Sequence, residues 1–165
     1  MLVRRLLLLL AALLVAGCGS KDAAPTTTVR STPPDPSHAV GGGHTLYQAG
    51  DWAVVVKGNS AVALHFVGDV WRPDRTGRVK IELLGPHGVQ PPTTQVAAQM
   101  RAPTPLVESS FWVDGVALLV KGGGSPTRGT IYGATNGLRP GKHVLVAYAR
   151  TATAATAIAA TFRVR

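Results

Sequence analysis

The sequence has almost no cysteine. Cys18 is the only one among the 165 residues, so no internal disulfide can form and a disulfide-stapled scaffold is excluded. A structural zinc site needs Cys and His ligands clustered at short spacings, and the sequence has no such cluster. The stability of any folded part must therefore come from an apolar core.

Carboxylates are scarce as well. The chain has 8 acidic residues against 17 basic ones. We expect its two glutamates, Glu82 and Glu108, to be solvated surface charges. A glycosidase needs two carboxyl groups that face each other across the bond it cleaves, so the composition gives no support to glycoside hydrolysis.

Familiar catalytic motifs are also missing. No Gly-x-Ser-x-Gly sequence marks a nucleophilic serine, and the five histidines are scattered along the chain. Residues 137–143 come nearest to a phosphate-binding loop, but the glycine spacing is one residue short and His143 stands where Ser or Thr is required. We therefore predict no catalytic residue, no enzymatic activity and no cofactor.

No apolar stretch is long enough to cross a bilayer. The longest covers the eleven residues from Leu6 to Ala16, whereas a spanning helix needs about 20. Arg4 and Arg5 precede this run and small residues follow it, which is the order of a secretory signal. The sequence predicts that residues 1–17 are a signal peptide and that the protein is exported.

The end of this signal carries the lone cysteine. Residues 15–18, Val-Ala-Gly-Cys, resemble the lipobox of bacterial lipoproteins, which has an aliphatic residue and two small ones before its cysteine. The resemblance implies that a diacylglyceryl group is attached to the Cys18 thiol, with palmitate-type chains, after cleavage before Cys18. Two acyl chains suffice for stable anchoring. The alternative is an ordinary signal peptide followed by a chance cysteine.

Residues 18–45 show no apolar period. Four prolines and the run Gly41–Gly43 interrupt regular structure, and few side chains here bury enough surface to offset the entropy of ordering. We predict a lipidated cysteine followed by a disordered tether. A flexible chain of this length spans about 25–30 Å and would lift a domain off the membrane.

The pattern changes at about residue 46. Short runs such as Trp52–Lys57 and Ile158–Arg165 alternate between two faces and are separated by turn residues. Such alternation is typical of strands with one face on a core and one toward water. We predict that residues 46–165 form an all-β domain, an antiparallel sandwich of seven or eight strands.

Three segments give local detail. Asp114-Gly115 suits a type I′ turn, which predicts a hairpin over Phe111–Val120. Lys142–Arg150 is apolar on both faces and should be a central strand. Thr94–Met100 is also compatible with a turn and a half of helix.

Residues 136–165 resemble the last two strands of bacterial immunoglobulin-like domains. The shared features are Leu138, the Pro140-Gly141 turn, His143, the apolar run Val144–Ala149 and the ending Phe162-Arg163-Val164. The hairpin at Asp114 is similar to the central hairpin of that fold. The resemblance implies an immunoglobulin-like β-sandwich and says almost nothing about function. The turn between the last two strands departs from the family, because it is rich in Thr and Ala.

Two places are candidate sites. Trp71 lies beside Arg72 and Arg75, and an exposed tryptophan with arginines is a common contact pair that could stack on a sugar or bind an anion. The alternative is that Trp71 covers the edge of the sandwich while the arginines are solvated. His143 is either a ligand or, as we favour, a corner residue that bonds a nearby backbone carbonyl, as a tyrosine does in related sandwiches.

The predicted export limits the partners. Removal of residues 1–17 leaves 15 basic and 8 acidic residues, a net charge of +7. An exported protein does not routinely meet nucleic acid, so we expect the membrane as partner through the lipid anchor, with an anionic cell-wall polymer, a carbohydrate or an envelope protein as further candidates.

Together, these expectations predict that the chain is a lipoprotein on the extracytoplasmic face of the cell membrane. Its domain is predicted to be a non-catalytic binding or structural module of the cell envelope. The alternatives are an extracytoplasmic copper carrier that uses the scattered histidines and Met100, with no defined metal site, and an enzyme of unrecognised type.

Overall fold

The computed structural model describes residues 32–165. The predicted signal peptide, the lipobox with Cys18 and the first part of the tether lie outside the described residues. Residues 32–165 form one compact unit.

This unit is built almost entirely of strands. A short 3-10 helix covers Pro36–Val40, and within the described range no helix is long and apolar enough to cross a bilayer. The strands are β1 (His44–Ala49), β2 (Trp52–Lys57), β3 (Ser60–Val67), β4 (Val70–Pro73), β5 (Lys80–Gly85), β6 (Val89–Gln90), β7 (Gln95–Arg101), β8 (Glu108–Val113), β9 (Val116–Ala117), β10 (Val120–Ser125), β11 (Arg128–Ala134), β12 (Gly141–Arg150) and β13 (Ala155–Val164).

The strands form three sheets. The meander sheet has the order β1-β2-β3-β4, the outer sheet β10-β11-β7-β5, and the central sheet β6-β13-β12-β8-β9. Neighbouring strands are antiparallel, except that β6 runs parallel to β13.

The outer and central sheets form an immunoglobulin-like sandwich. In such a domain one sheet has the strand order A-B-E-D and the other contains C, F and G. Here β5, β7, β11 and β10 take the first four places, and β8, β12 and β13 take the other three. The predicted fold class is confirmed, and the two segments that resembled the family, β8–β9 and β12–β13, lie side by side in the central sheet.

The meander sheet is a third layer that the sequence pattern did not reveal. It packs on the face of the central sheet that points away from the sandwich core. Strand β12 therefore contributes to two cores: Leu145 and Ala147 face the outer sheet, whereas Val146 and Tyr148 face the meander. The prediction that this strand is central is confirmed. The predicted seven or eight strands were too few, since the described chain has thirteen.

Strand β2 departs from the expected pattern because neither of its faces meets water. Trp52 and Val54 pack on the central sheet. Ala53 and Val55, which the alternation assigned to the solvent side, form a small cluster on the other face under Val40 of the 3-10 helix.

Two further segments clarify the expectations. The segment Thr94–Met100, which was compatible with a short helix, enters strand β7 at Gln95, and Val96, Ala98 and Met100 all point into the sandwich core. The hairpin at Asp114 is present, with φ of 49° at Asp114 and 85° at Gly115 as a type I′ turn requires. Its second arm is only two residues long, after which the chain crosses to the outer sheet as β10.

The domain begins before the predicted boundary at residue 46. The side chain of Pro36 is fully buried, and the Asp35 carboxylate accepts hydrogen bonds from the Ser37 amide at 3.0 Å and the Thr45 hydroxyl at 2.6 Å. The bond from Thr45, with those from Ser37, lowers the pKa of Asp35 to about 2. Residues 32–45 are thus part of the fold rather than of a disordered tether. Their polar composition hid this, because only Pro36 and Val40 pack as apolar side chains and specific hydrogen bonds hold the rest.

Residues 32–165 hold a complete core of their own. The sandwich and the meander sheet both form from strands of this described range and bury three apolar clusters. A chain that starts at residue 32 therefore keeps this core and can fold alone.

Candidate functional site

The hairpin of β3 and β4 positions the residues that the sequence singled out. Its two-residue turn is Gly68-Asp69, with φ of 57° and 62°, as a type I′ turn requires. Strand β4 then places Trp71 and Arg72 on opposite faces of the meander sheet, since side chains alternate along a strand.

Trp71 is half-buried on the side that faces away from the central sheet. Its ring contacts Phe66, with the ring centroids 5.2 Å apart, and joins the cluster around Leu64. The indole Nε1–H donates a hydrogen bond to the carbonyl of Pro34 at 2.6 Å. Trp71 therefore holds the N-terminal segment and does not present an open stacking platform for a sugar.

Other polar contacts attach the same segment to the meander sheet. The Gln48 side chain donates to the carbonyl of Pro33 at 3.2 Å, and the Lys57 ammonium donates to the carbonyl of Gly41 at 2.8 Å. Residues 33–41 thus run across the outside of this sheet, with bonds to β1, β2 and β4.

On the other face of β4, the two arginines line a hollow. We call it the arginine hollow; it has a volume of about 180 Å³ and is lined by His65, Val67, Arg72, Pro73, Asp74, Arg75, Thr76 and Thr153. It lies between the β3–β4 hairpin and the turn that joins β12 to β13. The structure thus brings Arg72 and Arg75 together at one depression and places Trp71 outside it.

The electrostatics of this hollow favour an anion. Arg72 and Arg75 are exposed, and within residues 32–165 neither guanidinium forms an ion pair. The one lining carboxylate, Asp74, accepts hydrogen bonds from the backbone amides of Thr76 at 2.8 Å and Ala155 at 2.6 Å. Both of its oxygens are held by the fold, although its negative charge remains, whereas the arginine donors face solvent.

His143 is the corner residue that we favoured. Its Nε2 donates to the carbonyl of Arg139 at 2.8 Å, and its Nδ1 lies 2.5 Å from Asp114. Asp114 also accepts the Val144 amide at 2.9 Å. The hydrogen bond to Asp114 raises the pKa of His143. Both ring nitrogens are used to join the β8–β9 turn to the start of β12, so the histidine is bound to the fold.

Glu108 forms a polar contact between the central and meander sheets that the sequence did not predict. Glu108 was expected to be a solvated charge, but its carboxylate accepts the hydroxyl of Tyr47 from the meander sheet and the Nε of Arg150 at 2.7 Å. Burial, together with the bond to Glu108, raises the pKa of Tyr47 to about 12. No local pattern could have signalled this contact, because Tyr47 and Glu108 are far apart in sequence.

The residues of the copper hypothesis do not converge. Met100 is 1% exposed in the sandwich core, and His65 stacks on Trp52 with ring centroids 3.9 Å apart. Across residues 32–165, no three His, Cys, Asp or Glu side chains lie close enough to hold a metal ion.

No protein-family model matches the chain, and no curated protein is detectably similar to it. Among solved structures, the chain is similar to titin M4 in a trigonal crystal form, with 14% identity and a TM-score of 0.38 over 53% of this chain and 95% of that one. It is also similar to a chain in the complex of titin M10 with the obscurin-like 1 immunoglobulin domain, with 18% identity and a TM-score of 0.34 over 52% of this chain and 93% of that one. A tandem of two titin immunoglobulin domains matches 72% of this chain and 75% of its own, with 5% identity and a TM-score of 0.36.

Proposed function

We propose that the chain is a lipoprotein anchored through Cys18 on the extracytoplasmic face of the cell membrane. Its immunoglobulin-like domain would be a non-catalytic binding or structural module of the cell envelope. The fold class is compatible with such a module, because sandwiches of this kind host binding surfaces on a rigid scaffold.

The observation that carries this proposal is the sequence Val15-Ala16-Gly17-Cys18, which resembles a lipobox and directly follows a short apolar run. The structure adds a limit on distance. The hydrogen bond from Trp71 fixes Pro34 at the meander sheet, and residues 19–33 separate Pro34 from Cys18. Even when fully extended, a stretch of this length reaches only about 55 Å, so a lipid on Cys18 would hold the domain close to the bilayer.

The test is a lipid and localisation assay on the full chain expressed in a bacterium. We expect fractionation to find the wild-type protein with the membranes, and mass spectrometry to find a diacylglyceryl group on a mature N-terminal Cys18. Cys18→Ala should move the protein to the soluble fraction, whereas Ser31→Ala, another small-residue change upstream of the domain, should leave it with the membranes.

Two outcomes would overturn the anchor. One is a wild-type N-terminal peptide whose mass shows an unmodified thiol. The other is a Cys18→Ala protein that has lost residues 1–17 and still fractionates with the membrane. If the Cys18→Ala protein stays with the membrane, its mass shows whether residues 1–17 are still attached. Membrane binding counts against the anchor only when they are absent.

A further inference from the structure

The tip of the β3–β4 hairpin exposes apolar side chains next to the arginine hollow. Val67 and Val70 are paired across the two strands and are 49% and 45% exposed. Val67 also lines the hollow, so the apolar tip and the basic depression form one continuous surface. We call this surface, made of Val67, Val70, Arg72 and Arg75, the hairpin surface.

The hairpin surface combines the two properties that a charged lipid interface recognises. Guanidinium groups bind phosphate oxygens through two parallel hydrogen bonds, and Arg72 and Arg75 have no carboxylate partner within the described chain. The hydroxyls of Thr76 and Thr153 add donors at the same depression. A pair of exposed valines beside them can enter the boundary between headgroups and acyl chains.

Two acidic groups lie near the surface and reduce its positive potential. Asp74 keeps its negative charge, but its oxygens accept two backbone amides. Asp69 lies in the exposed hairpin turn, and its field reaches the hollow at low salt. Recognition of a phosphate therefore depends on the unpaired guanidinium donors of Arg72 and Arg75 and not on net charge.

The chain entry lies on the same sheet as the hairpin surface. Strand β4 carries Trp71, which binds the N-terminal segment on one face, and Arg72 on the other. A lipid on Cys18 would keep the domain, and with it this surface, at a high local concentration near the bilayer.

We infer that the hairpin surface is a second membrane contact that binds the headgroup phosphates of anionic phospholipids. This inference rests on the proposed function for its biological setting. The contact itself is a property of residues 32–165 and does not need the lipid on Cys18, so the two can fail separately.

The experiment uses residues 32–165 and vesicles of two compositions. One contains phosphatidylglycerol and phosphatidylcholine at about 3:7, and the other contains phosphatidylcholine alone. Each basic residue at an anionic surface contributes roughly a five-fold gain in binding. In co-sedimentation at low salt, Arg72→Gln with Arg75→Gln should therefore weaken binding to the anionic vesicles about 25-fold.

A matched control separates this site from the general positive charge of the domain. Lys142 and Arg163 are exposed and paired on β12 and β13, outside the hairpin surface. Lys142→Gln with Arg163→Gln removes the same charge and should weaken binding only slightly. Val67→Ser with Val70→Ser keeps every charge and should weaken binding several-fold. Urea unfolding of each variant checks that the fold is intact.

Several results would overturn the inference. They are the absence of binding to the anionic vesicles, equal losses for the two charge variants, and equal binding to the two vesicle compositions. Competition with inorganic phosphate and with soluble poly(glycerol phosphate) gives a further test. If the polymer binds as tightly as the vesicles, and the valine variant is unaffected, the hollow is a polymer site and not a membrane contact.

Discussion

Gly124 is the glycine of strand β10 where a side chain cannot be accommodated. Its φ of 136° lies in a region that L side chains rarely adopt, and an added Cβ would lie 2.3 Å from the Arg128 carbonyl oxygen and 2.7 Å from the Gly129 Cα. Both are backbone atoms of the facing strand β11, so no rotamer change relieves the contact. We expect Gly124→Ala to destabilise the hairpin of β10 and β11.

The neighbouring Gly123 provides a matched control. It is exposed on the same strand, its φ is ordinary, and an added Cβ would meet nothing within 4 Å. Replacing either glycine by alanine restricts the unfolded chain equally, which by itself stabilises a protein by about 0.4–1 kcal/mol. The difference between the two variants therefore isolates the folded state.

The size of the effect follows from the backbone conformation. A residue held in such a φ region costs about 1–3 kcal/mol, before the steric contact is added. Gly124→Ala should therefore lower the free energy of unfolding by at least about 1 kcal/mol, whereas Gly123→Ala should leave it unchanged or raise it by up to about 1 kcal/mol.

Urea unfolding of residues 32–165 measures this difference. Tryptophan fluorescence is a suitable probe, because Trp52 and Trp112 are both buried between the meander and central sheets. If the two variants unfold at the same urea concentration with the same m-value, the close approach of β10 and β11 at Gly124 is wrong.

Two further predictions concern side chains that join the layers. Tyr47→Phe removes the hydroxyl that donates to Glu108 and should lower the free energy of unfolding by about 1 kcal/mol. Tyr132→Phe, at an exposed position of the outer sheet, should not change it; equal urea midpoints for the two variants would contradict the contact between layers. The pKa of His143 is raised in the folded protein, so its stabilising contribution is present below about pH 6.5 and is lost as the pH rises through the folded value. The urea midpoint should therefore fall as the pH is raised above about 6.5, and His143→Gln should flatten this dependence; a wild-type midpoint that stays constant would refute it.

The sandwich was predictable from sequence because its signals are local. The Asp114-Gly115 turn needs only its two residues, and the lack of alternation in β12 shows by itself that both faces are covered. The sequence did not show which part of the chain covers the second face of β12. Alternation in β2 shows that an apolar face exists, but it does not tell which sheet that face meets.

The N-terminal segment shows a second limit of prediction from sequence. Residues 33–41 contribute only Pro36 and Val40 to apolar packing, and their other contacts depend on partners such as Trp71 and Lys57 that lie far along the chain. Composition reports the average ability of a segment to bury surface, so it misses a segment held by a few well-placed hydrogen bonds.

Part of the candidate site could be predicted from the sequence. Arg72 and Arg75 are near in sequence, and their meeting was expected. Thr153 reaches the same hollow only because the turn between β12 and β13 comes beside the hairpin. Trp71 was grouped with the arginines by sequence, whereas the alternation of β4 sends it to the opposite face.

A change in the packing of strand β12 is difficult to compensate by moving the strand. Leu145 belongs to one core and the adjacent Val146 to the other, and close-packed interiors respond to the loss or gain of a single methylene. A shift of the strand that fills a gap on one side opens one on the other. Repacking either core therefore has to preserve the path of this strand, and engineering of the domain has most freedom at positions that β12 does not touch.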